Sequence, residues 1–484
     1  MLLLVFFLGI VGLFLGYKFY SPYVLKQLKL DENMEMPSQK LQDGVDYMQI
    51  DPKRNMLIQL LNIAGTGPVF GPIMAALFGP IALVLIPLGN VFAGAVMDLG
   101  FGVVSLKNDG QNFPAIARKY MGGWSTWFTT IFSALLLLLV ATVFVVTPAS
   151  ILSVTFFGGQ HIPIIIGIIF AYYIMATVMP VDKIIARYYP YVTAILLLGT
   201  IAIFVSILLN TATGNIALPS LTAHGFVSWA HPNNVLLFPG FIVAVSCGFI
   251  SGFHTTQSPI VAKTMGHAKH ARKTFYGMMS VEGGIAMIWA LASIVLFQPA
   301  GLLSTIQEGT ASLVVHNVST QTLGVLAPLV ILAVVILPIT SGDTAFRSLR
   351  SIFAEVLNVS QVKMSSRLII ALPLFGVSVF LTTIDFGALW AYFTWSNHML
   401  SIMSLILLSG YLKNIGSNYF IALAPCIALF FLNMLYLFND AAIGTGLAYE
   451  IAAVLSVIVV IISSALLLRF SKSWNGKQSF SVDT

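Results

Sequence analysis

Charge is scarce in this chain of 484 residues. Asp, Glu, Lys and Arg together make up 8% of the sequence, while hydrophobic residues make up 58%. Soluble domains carry about 25% charged residues, so a soluble core cannot absorb this much apolar surface. The composition therefore predicts a polytopic membrane protein. Cysteine is scarce too, and the two residues Cys247 and Cys426 exclude a disulfide framework and a C-x-x-C metal site.

The chain also lacks the local patterns of enzymes, channels and receptors. Its apolar runs contain no H-x-x-x-H, no G-x-S-x-G and no clustered Cys and His that would form a catalytic set. A repeated pore-lining filter and a signalling domain are not recognisable either. We therefore predict that the protein is not an enzyme and needs no cofactor. A membrane-embedded enzyme or a channel remains a less favoured alternative.

Long apolar runs are abundant instead. Each is about 18 to 25 residues long, which suits a helix that crosses a bilayer. We predict an all-α polytopic membrane protein with about thirteen transmembrane helices. The predicted spans are 2–20, 57–78, 80–105, 124–149, 162–180, 190–209, 235–260, 275–297, 323–344, 367–384, 386–409, 418–438 and 447–469.

The 23 Lys and Arg residues fall on one side of this predicted membrane. Each of them follows an odd-numbered span, so the positive-inside rule places the N-terminus outside and the C-terminus in the cytoplasm. This distribution explains the net charge of +6 without a nucleic-acid partner. The expected partners are the bilayer of a bacterial-type inner (plasma) membrane and a small-molecule substrate, with the oligomeric state left open. Basic residues follow the first run instead of preceding it, which predicts a retained helix and not a cleaved signal peptide.

Two spans are interrupted by residues that disfavour a regular helix. Residues 62–72 of span 2 contain three glycines and two prolines, and residues 247–259 of span 7 are polar and punctuated by glycine. The two spans are five apart and enter the membrane from opposite sides. Such a matched pair indicates an inverted-repeat transporter with its substrate site at the breaks. The alternative is close helix packing through the G-x-x-x-G pairs that both segments contain.

The two breaks predict how the whole chain is organised. Residues 210–234 and 298–322 are long, nearly uncharged outer segments and candidate lids, and residues 346–357 either extend span 9 or lie at the inner interface. The predicted segments are an N-terminal helix (1–20), a cytoplasmic linker (21–56), repeat one with spans 2–6 (57–209), repeat two with spans 7–11 (235–409), spans 12–13 (418–469) and a cytoplasmic tail (470–484).

Half-helix ends present unpaired backbone groups, whose N-termini suit a carboxylate and whose C-termini suit a cation. His254, in the second break, suits an anionic substrate or a proton, and the alternative is a structural hydrogen bond. His398 of span 11 is a weaker candidate. The predicted substrate-binding residues are Asn62, Gly65, Thr66, Gly67, Ser251, His254, Thr255 and Gln257.

Acidic residues inside spans are costly, at about 2.5 to 3.5 kcal/mol for an acid at the helix centre, so each needs a reason. Asp98 and Glu282 lie in the second spans of the two repeats. Each is a candidate protonation site, and the alternative is a hydrogen bond to exposed backbone. In span 9, Asp343 and Arg347 are spaced to pair on one helix face as a gate or structural link. The predicted ion-coupling residues are Asp98, Glu282, Thr340, Ser341 and Asp343.

At these motifs the chain resembles the carbon starvation protein A (CstA) family. The matching segments are IAGTGPVFGP at 63–72, AGAVMD at 93–98, the neighbourhood of Glu282 and SGDTAFR at 341–347. The resemblance implies a leucine-transporter-like 5+5 inverted repeat, with one extra N-terminal and two C-terminal helices. The family pattern often has two histidines before the glycine motif. Ile58 and Gln59 stand there in this chain, so a proton or metal role at those positions is absent.

The resemblance also implies ion-driven uptake of peptides or pyruvate during nutrient limitation. We therefore expect a secondary transporter that imports a small carboxylate metabolite or a short peptide, coupled to H⁺ or Na⁺ by alternating access. An amino-acid transporter of the same fold is the alternative. If the fold resemblance holds, span 9 helps to form a Na⁺ site at Ala64, Thr340 and Ser341, and no other metal is predicted.

Overall fold

The computed structural model describes residues 1–44, 46–178, 181–219, 231–245, 248–297, 299–359, 361 and 363–474, without the side chains of 178–190, 299 and 465–474. Several expectations lie outside the described residues. They concern Cys247, residues 220–230 of the candidate lid at 210–234, the side chains of Lys183, Arg187 and Arg469, and the end of the cytoplasmic tail.

In the part of the chain that the structure describes, the regular secondary structure is helical, apart from one isolated bridge between Ile50 and Met265. The helices are α1 (Leu2–Leu28), α2 (Pro52–Ile63), α3 (Gly67–Ala75), α4 (82–106), α5 (Phe113–Met121), α6 (Gly123–Phe157), α7 (Ile162–Val178), α8 (Val181–Ala212), α9 (Leu237–Ala244), α10 (Gly252–Thr264), α11 (Ala268–Leu296), α12 (Pro299–Leu323), α13 (Ala327–Val356), α14 (Met364–Leu381), α15 (Phe386–Asn414), α16 (Phe420–Asn439) and α17 (Tyr449–Trp474).

Eight apolar segments of the described chain are long enough to cross a membrane. Two shorter apolar helices, Ile162–Thr177 and Tyr449–Ser464, come in addition. The helices α2, α9 and α10 are too short to cross a membrane singly, and α3 is the start of the long helical segment Gly67–Leu106. An all-helical membrane protein is therefore confirmed, while the number of thirteen spans and the inverted repeat stay predictions.

The first interruption lies within the predicted segment 62–72, whereas the second begins before the predicted segment 247–259 and leaves residues 252–259 helical. α2 runs from Pro52 to Ile63, and its N-cap Asp51 accepts hydrogen bonds from the N–H groups of Lys53 and Arg54. α3 resumes at Gly67. The second interruption separates α9, which ends at Ala244, from α10, which begins at Gly252.

Two segments outside the predicted core of the spans are helical. The candidate lid at 298–322 is largely the helix α12, which is kinked at Gly309 and Thr310. A lid role for this helix stays a prediction. Residues 346–357 continue span 9, since α13 runs without a break to Val356.

The interrupted helices lie in the protein interior and the first helix lies at its edge. In the segment Gly67–Leu106, 78% of the most apolar stretch is buried, against 22% in α1. The exposed face of α1 carries large apolar side chains such as Leu4, Leu8 and Phe14, as expected for contact with lipid.

The linker after α1 binds the inner end of α10. The Ile50 N–H donates to the Thr264 carbonyl at 3.0 Å, and the Ser38 hydroxyl donates to the Met265 carbonyl at 2.7 Å. Tyr47 packs its ring under the Lys263 ammonium, and burial, followed by the charge of Asp46, raises the pKa of Tyr47 to about 12. Tyr47 therefore stays neutral at physiological pH.

Candidate functional site

The two helix breaks lie close together. A Cβ atom placed on Gly248 in the second break would lie 2.4 Å from the Cβ of Ala286 on α11. It would also lie 3.9 Å from the Cα of Pro68, in the first turn of α3. Glycine is required at 248 because the backbone approaches α11 too closely for a side chain.

An aromatic ring fills the space beside the first break. A Cβ on Gly65 would lie 2.3 Å from Cζ of Phe144, which is fully buried on α6. The same ring meets Phe253 edge-on, with ring centroids 5.6 Å apart. Because Phe253 lies in the first turn of α10, Phe144 is a shared wall between the two breaks. Phe144 could not be recognised as a site residue from the sequence, since a Phe in an apolar span is common.

An asparagine on α15 holds the start of α10. Asn397 Oδ1 accepts hydrogen bonds from the Ser251 hydroxyl at 2.9 Å and from the Phe253 N–H at 3.0 Å. It therefore acts as an N-cap supplied by another helix. The predicted substrate residue Ser251 is thus bound to Asn397. Asn397 was missed, although a buried amide inside a predicted span could have drawn attention to it.

Three titratable residues from three helices meet at His254. Its Nδ1 lies 3.2 Å from Oδ1 of Asp98 on α4, and its Nε2 lies 3.7 Å from Oε1 of Glu282 on α11. All three side chains are fully buried. The sequence analysis named each of them separately, and the structure brings them into one cluster, which we call the Asp–His–Glu cluster.

The Asp–His–Glu cluster is suited to holding and transferring a proton. When His254 is protonated, a carboxylate on either side stabilises its charge in surroundings where water screens little. Groups this close exchange protons as a unit, so the state of one depends on the other two. In the described residues, no group of three or more His, Cys, Asp or Glu side chains is arranged to hold a metal ion.

Span 9 reaches the first break through Ser341. The Ser341 hydroxyl donates to the Leu61 carbonyl at 2.9 Å, in the last turn of α2. Thr340 instead donates to the Leu337 carbonyl of its own helix at 2.8 Å. Ala64 ends α2 in a helical conformation. The structure thus brings Ser341, rather than Thr340, to the backbone beside the break, and a Na⁺ site there stays a prediction.

Asp343 and Arg347 form a buried ion pair along α13. Arg347 Nε donates to Asp343 Oδ1 at 2.9 Å, and another guanidinium nitrogen donates to the Ala176 carbonyl at the end of α7. Arg350 donates to the neighbouring Thr177 carbonyl at 3.0 Å. Two arginines of α13 therefore hold the end of α7. This geometry favours a role of Asp343 in a gate or structural link over a role as an ion-coupling residue.

The other predicted binding residues divide into two groups. Thr255 and Gln257 face neighbouring helices, because Thr255 shares a hydrogen bond of 2.9 Å with Ser404 of α15 and Gln257 donates to Ser348 of α13 at 3.5 Å. Around the first break, several side chains are buried with no hydrogen-bond partner among the described protein groups. They are Gln59, Asn62 and Thr66.

The unpartnered side chains at the first break indicate a place for a polar ligand or for water. A buried amide or hydroxyl without a partner costs about 1 to 3 kcal/mol, so such a set calls for a polar ligand or water. Gln59 had no role predicted from the sequence. Its buried amide offers both a donor and an acceptor next to Asn62.

The fold is that of leucine-transporter-like membrane transporters. A manganese transporter of Eremococcus coleocola, crystallised as a point mutant, superposes with a TM-score of 0.56 at 12% identity, covering 90% of this chain and 99% of that chain. MhsT in complex with L-phenylalanine gives a TM-score of 0.56 at 13% identity, covering 87% and 99%. At this identity the likeness defines the fold alone.

Within this class, the chain belongs to the carbon starvation protein CstA family, whose sequence profile matches residues 1–166 and 148–328. An uncharacterized membrane protein of Haemophilus influenzae is 34% identical over 353 residues, which cover 64% of this chain and 95% of that protein. The family expected from the motifs is thereby confirmed.

Other relatives have named activities, among them a peptide transporter and a pyruvate/proton symporter. The peptide transporter CstA of Helicobacter pylori is 26% identical over 57% of this chain and 48% of its own length. The pyruvate/proton symporter BtsT of Escherichia coli is 25% identical over 59% of this chain and 48% of its own length. The chain thus matches about half of each of these proteins. Both are transporters and not enzymes, in agreement with the expectation for this family.

Proposed function

We propose that the protein is a secondary active transporter that imports a small carboxylate metabolite, such as pyruvate, or a short peptide in symport with protons. The observation that carries the proposal is the Asp–His–Glu cluster, which lies at the start of α10 beside the second helix break. Relatives named as a peptide transporter and as a pyruvate/proton symporter support the substrate classes.

A carboxylate in this site needs a positive field from the protein. Arg347 already pairs with Asp343, so it has less charge to offer a substrate. The dipole of α3 places partial positive charge at its N-terminus instead, where Pro68 has no N–H and the Val69 N–H donates to the Thr66 carbonyl at 3.2 Å. Gln59, Asn62 and Thr66 add polar atoms without protein partners beside the same break. These groups would bind the carboxylate and its neighbouring oxygen.

The Asp–His–Glu cluster would couple the proton to the substrate. A proton on His254 adds positive charge near the breaks, which stabilises a bound anion and is stabilised by it. Such mutual stabilisation is the definition of coupling, and its usual size is about 1 to 3 kcal/mol. Asp98, His254 and Glu282 lie on α4, α10 and α11. A relative movement of these helices would therefore change the distances from His254 to both carboxylates, and the proton would be released on the opposite side of the membrane.

Sodium is the competing coupling ion. It would bind at oxygen atoms near Ala64, Thr340 and Ser341, and the described residues leave the Thr340 hydroxyl bonded within its own helix. The Asp–His–Glu cluster instead contains an imidazole and two carboxylates, which are groups that bind and release protons. We therefore favour the proton as the coupling ion.

Reconstitution in proteoliposomes tests the proposal. Labelled pyruvate and a labelled dipeptide are each offered with an inward proton gradient, with a sodium gradient, and with neither. We expect saturable counterflow for one substrate class and accumulation with the proton gradient alone. Accumulation that follows sodium would overturn the coupling, and the absence of counterflow for pyruvate, related acids and peptides would overturn the function.

A further inference from the structure

A line of buried polar side chains runs along one face of α15 toward the second break. Trp390, Thr394 and His398 are spaced four residues apart, so they form one stripe on the helix. Trp390 is 6% exposed, and Thr394 and His398 are fully buried. We call these three residues the α15 stripe.

The polar atoms of the α15 stripe have no hydrogen-bond partner among the described protein groups. This holds for Trp390 Nε1, Thr394 Oγ1 and both ring nitrogens of His398. On the adjacent α16, Asn433 Oδ1 is also buried without a partner, and Asn433 Nδ2 contacts the Trp395 carbonyl at 3.5 Å. Asn433 therefore lies at the level of Thr394. One buried polar atom without a hydrogen-bond partner is common. Several in succession lower the stability of the fold unless water molecules provide the missing hydrogen bonds.

The two ends of the α15 stripe have different surroundings. At the upper end, Trp390 packs against Phe70 of α3, with ring centroids 6.1 Å apart. Five residues earlier, the exposed Asp385 caps the helix by accepting from the Ala388 N–H at 3.1 Å. The predicted topology places this end at the outer surface. Asp385 therefore lies at the outer end of the α15 stripe.

The lower end reaches the start of α10. The backbone of α15 at Asn397 and Ser401 is so close to Gly252 that a Cβ there would lie 2.4 Å from the Asn397 carbonyl oxygen. His398 is next to Asn397, and His254 is two residues from Gly252. From Asp385 to His398, α15 rises about 20 Å, which is half or more of a membrane's apolar thickness.

We propose that the α15 stripe holds a chain of water molecules that conducts protons from the outer surface to the Asp–His–Glu cluster, with His398 as its inner relay. The proposal rests on the proton coupling proposed above. A histidine relays a proton when it accepts at one ring nitrogen and donates from the other, so both nitrogens must be open. His398 meets this condition, whereas a nitrogen tied to a backbone carbonyl would block the relay.

Few other titratable groups compete with this route. The helices that pack on α15 are α4, α5, α6, α9, α10 and α16, together with Phe70 of α3. α9 carries no titratable side chain, and α5 meets α15 below the stripe, where Tyr120 contacts Tyr411. In their described parts near the stripe, α3 and α6 carry no titratable side chain, α10 contributes His254, α4 contributes Asp98 and α16 contributes Cys426 and Tyr436. Cys426 donates to the Ile402 carbonyl, below the stripe. A proton that leaves His398 therefore has the Asp–His–Glu cluster as its acceptor.

The first experiment separates coupling from transport. His398→Gln keeps a polar side chain but cannot relay a proton, and Trp395→Phe removes an equally unpartnered indole N–H from another face of α15 as the matched control. For His398→Gln we expect counterflow of substrate to persist and proton-driven accumulation to fall about tenfold. Trp395→Phe should change neither. Unchanged accumulation in His398→Gln would overturn the proposal, as would an equal loss of accumulation and counterflow.

The second experiment does not depend on transport. In a background with Cys247 and Cys426 replaced, Thr394→Cys is exposed to a small, charged, membrane-impermeant thiol reagent added from outside. We expect rapid modification, while Leu407→Cys, fully buried on the opposite face of α15, stays unmodified. An unreactive Thr394→Cys would overturn the water chain. If the protein failed to transport at all, labelling at Thr394 would still support the stripe, so the two proposals fail separately.

Discussion

The most direct test of the Asp–His–Glu cluster is Asp98→Asn. The substitution removes one negative charge and keeps the shape of the side chain. At 3.2 Å from His254 Nδ1, Asp98 attracts a protonated imidazole by about 5 kcal/mol at an effective dielectric constant of about 20, and Glu282 at 3.7 Å adds about 4.5 kcal/mol. Desolvation of the buried charges offsets most of this attraction.

We therefore expect a net loss of about 1 to 3 kcal/mol in the coupling between proton and substrate, or about 5- to 150-fold. The sign follows from the charges. Asp98 stabilises the proton-loaded cluster, so Asp98→Asn weakens proton binding and demands a more acidic outside for the same uptake. Proton-driven accumulation should fall, while substrate exchange without a gradient should persist.

The assay is uptake into proteoliposomes at a series of external pH values, with counterflow measured on the same preparation. Asp440→Asn, a surface acid that caps the loop after α16 by accepting from Ala442 and Ile443, serves as the matched control. Full proton-driven accumulation in Asp98→Asn would refute the coupling role. A parallel loss of exchange and accumulation would show that Asp98 supports the substrate site or the fold instead.

Three further substitutions test the packing of the site by thermal unfolding in detergent. Gly65→Ala places a methyl group 2.3 Å from Phe144 and should destabilise the protein by about 1 to 3 kcal/mol, and Phe144→Leu in the same chain should recover part of the loss. Arg347→Ala leaves the buried Asp343 charge unpaired and should lower the free energy of unfolding by about 3 to 5 kcal/mol. The loss should be smaller when Asp343→Asn is added. An unchanged melting temperature in Arg347→Ala would refute the structural link. Asn397→Ala removes the cap of α10 and should cost about 0.5 to 2 kcal/mol, whereas Asn397→Asp, which keeps the acceptor, should cost less.

The sequence predicted the first break closely, because glycine and proline act locally. The interruption at residues 64–66 contains one glycine and is followed by a Gly-Pro pair, and such residues weaken a helix wherever they occur. The second interruption, between Ala244 and Gly252, begins before the predicted segment 247–259. The buried acids were equally visible, since a charge in an apolar span is costly and therefore conspicuous. Local composition was sufficient for both predictions.

The meeting of Asp98, His254 and Glu282 could not be predicted in the same way. It depends on how α4, α10 and α11 rotate about their axes, and side chains of distant segments determine that rotation. Asn397 and Phe144 escaped notice for a related reason. Their residue types are common in apolar helices, and only the neighbours on other helices give them a role.

The linker between α1 and α2 has a consequence for how far the protein can open. Through Ile50 and Ser38 it is hydrogen-bonded to the inner end of α10, and through Lys40 it pairs with Asp109 beyond α4 at 3.1 Å. In the predicted topology, the linker is thus a short connection across the cytoplasmic side of the protein. An inward-facing shape must either carry this connection along with α10 or detach it. Its length and its few polar contacts therefore limit the width of the inner opening.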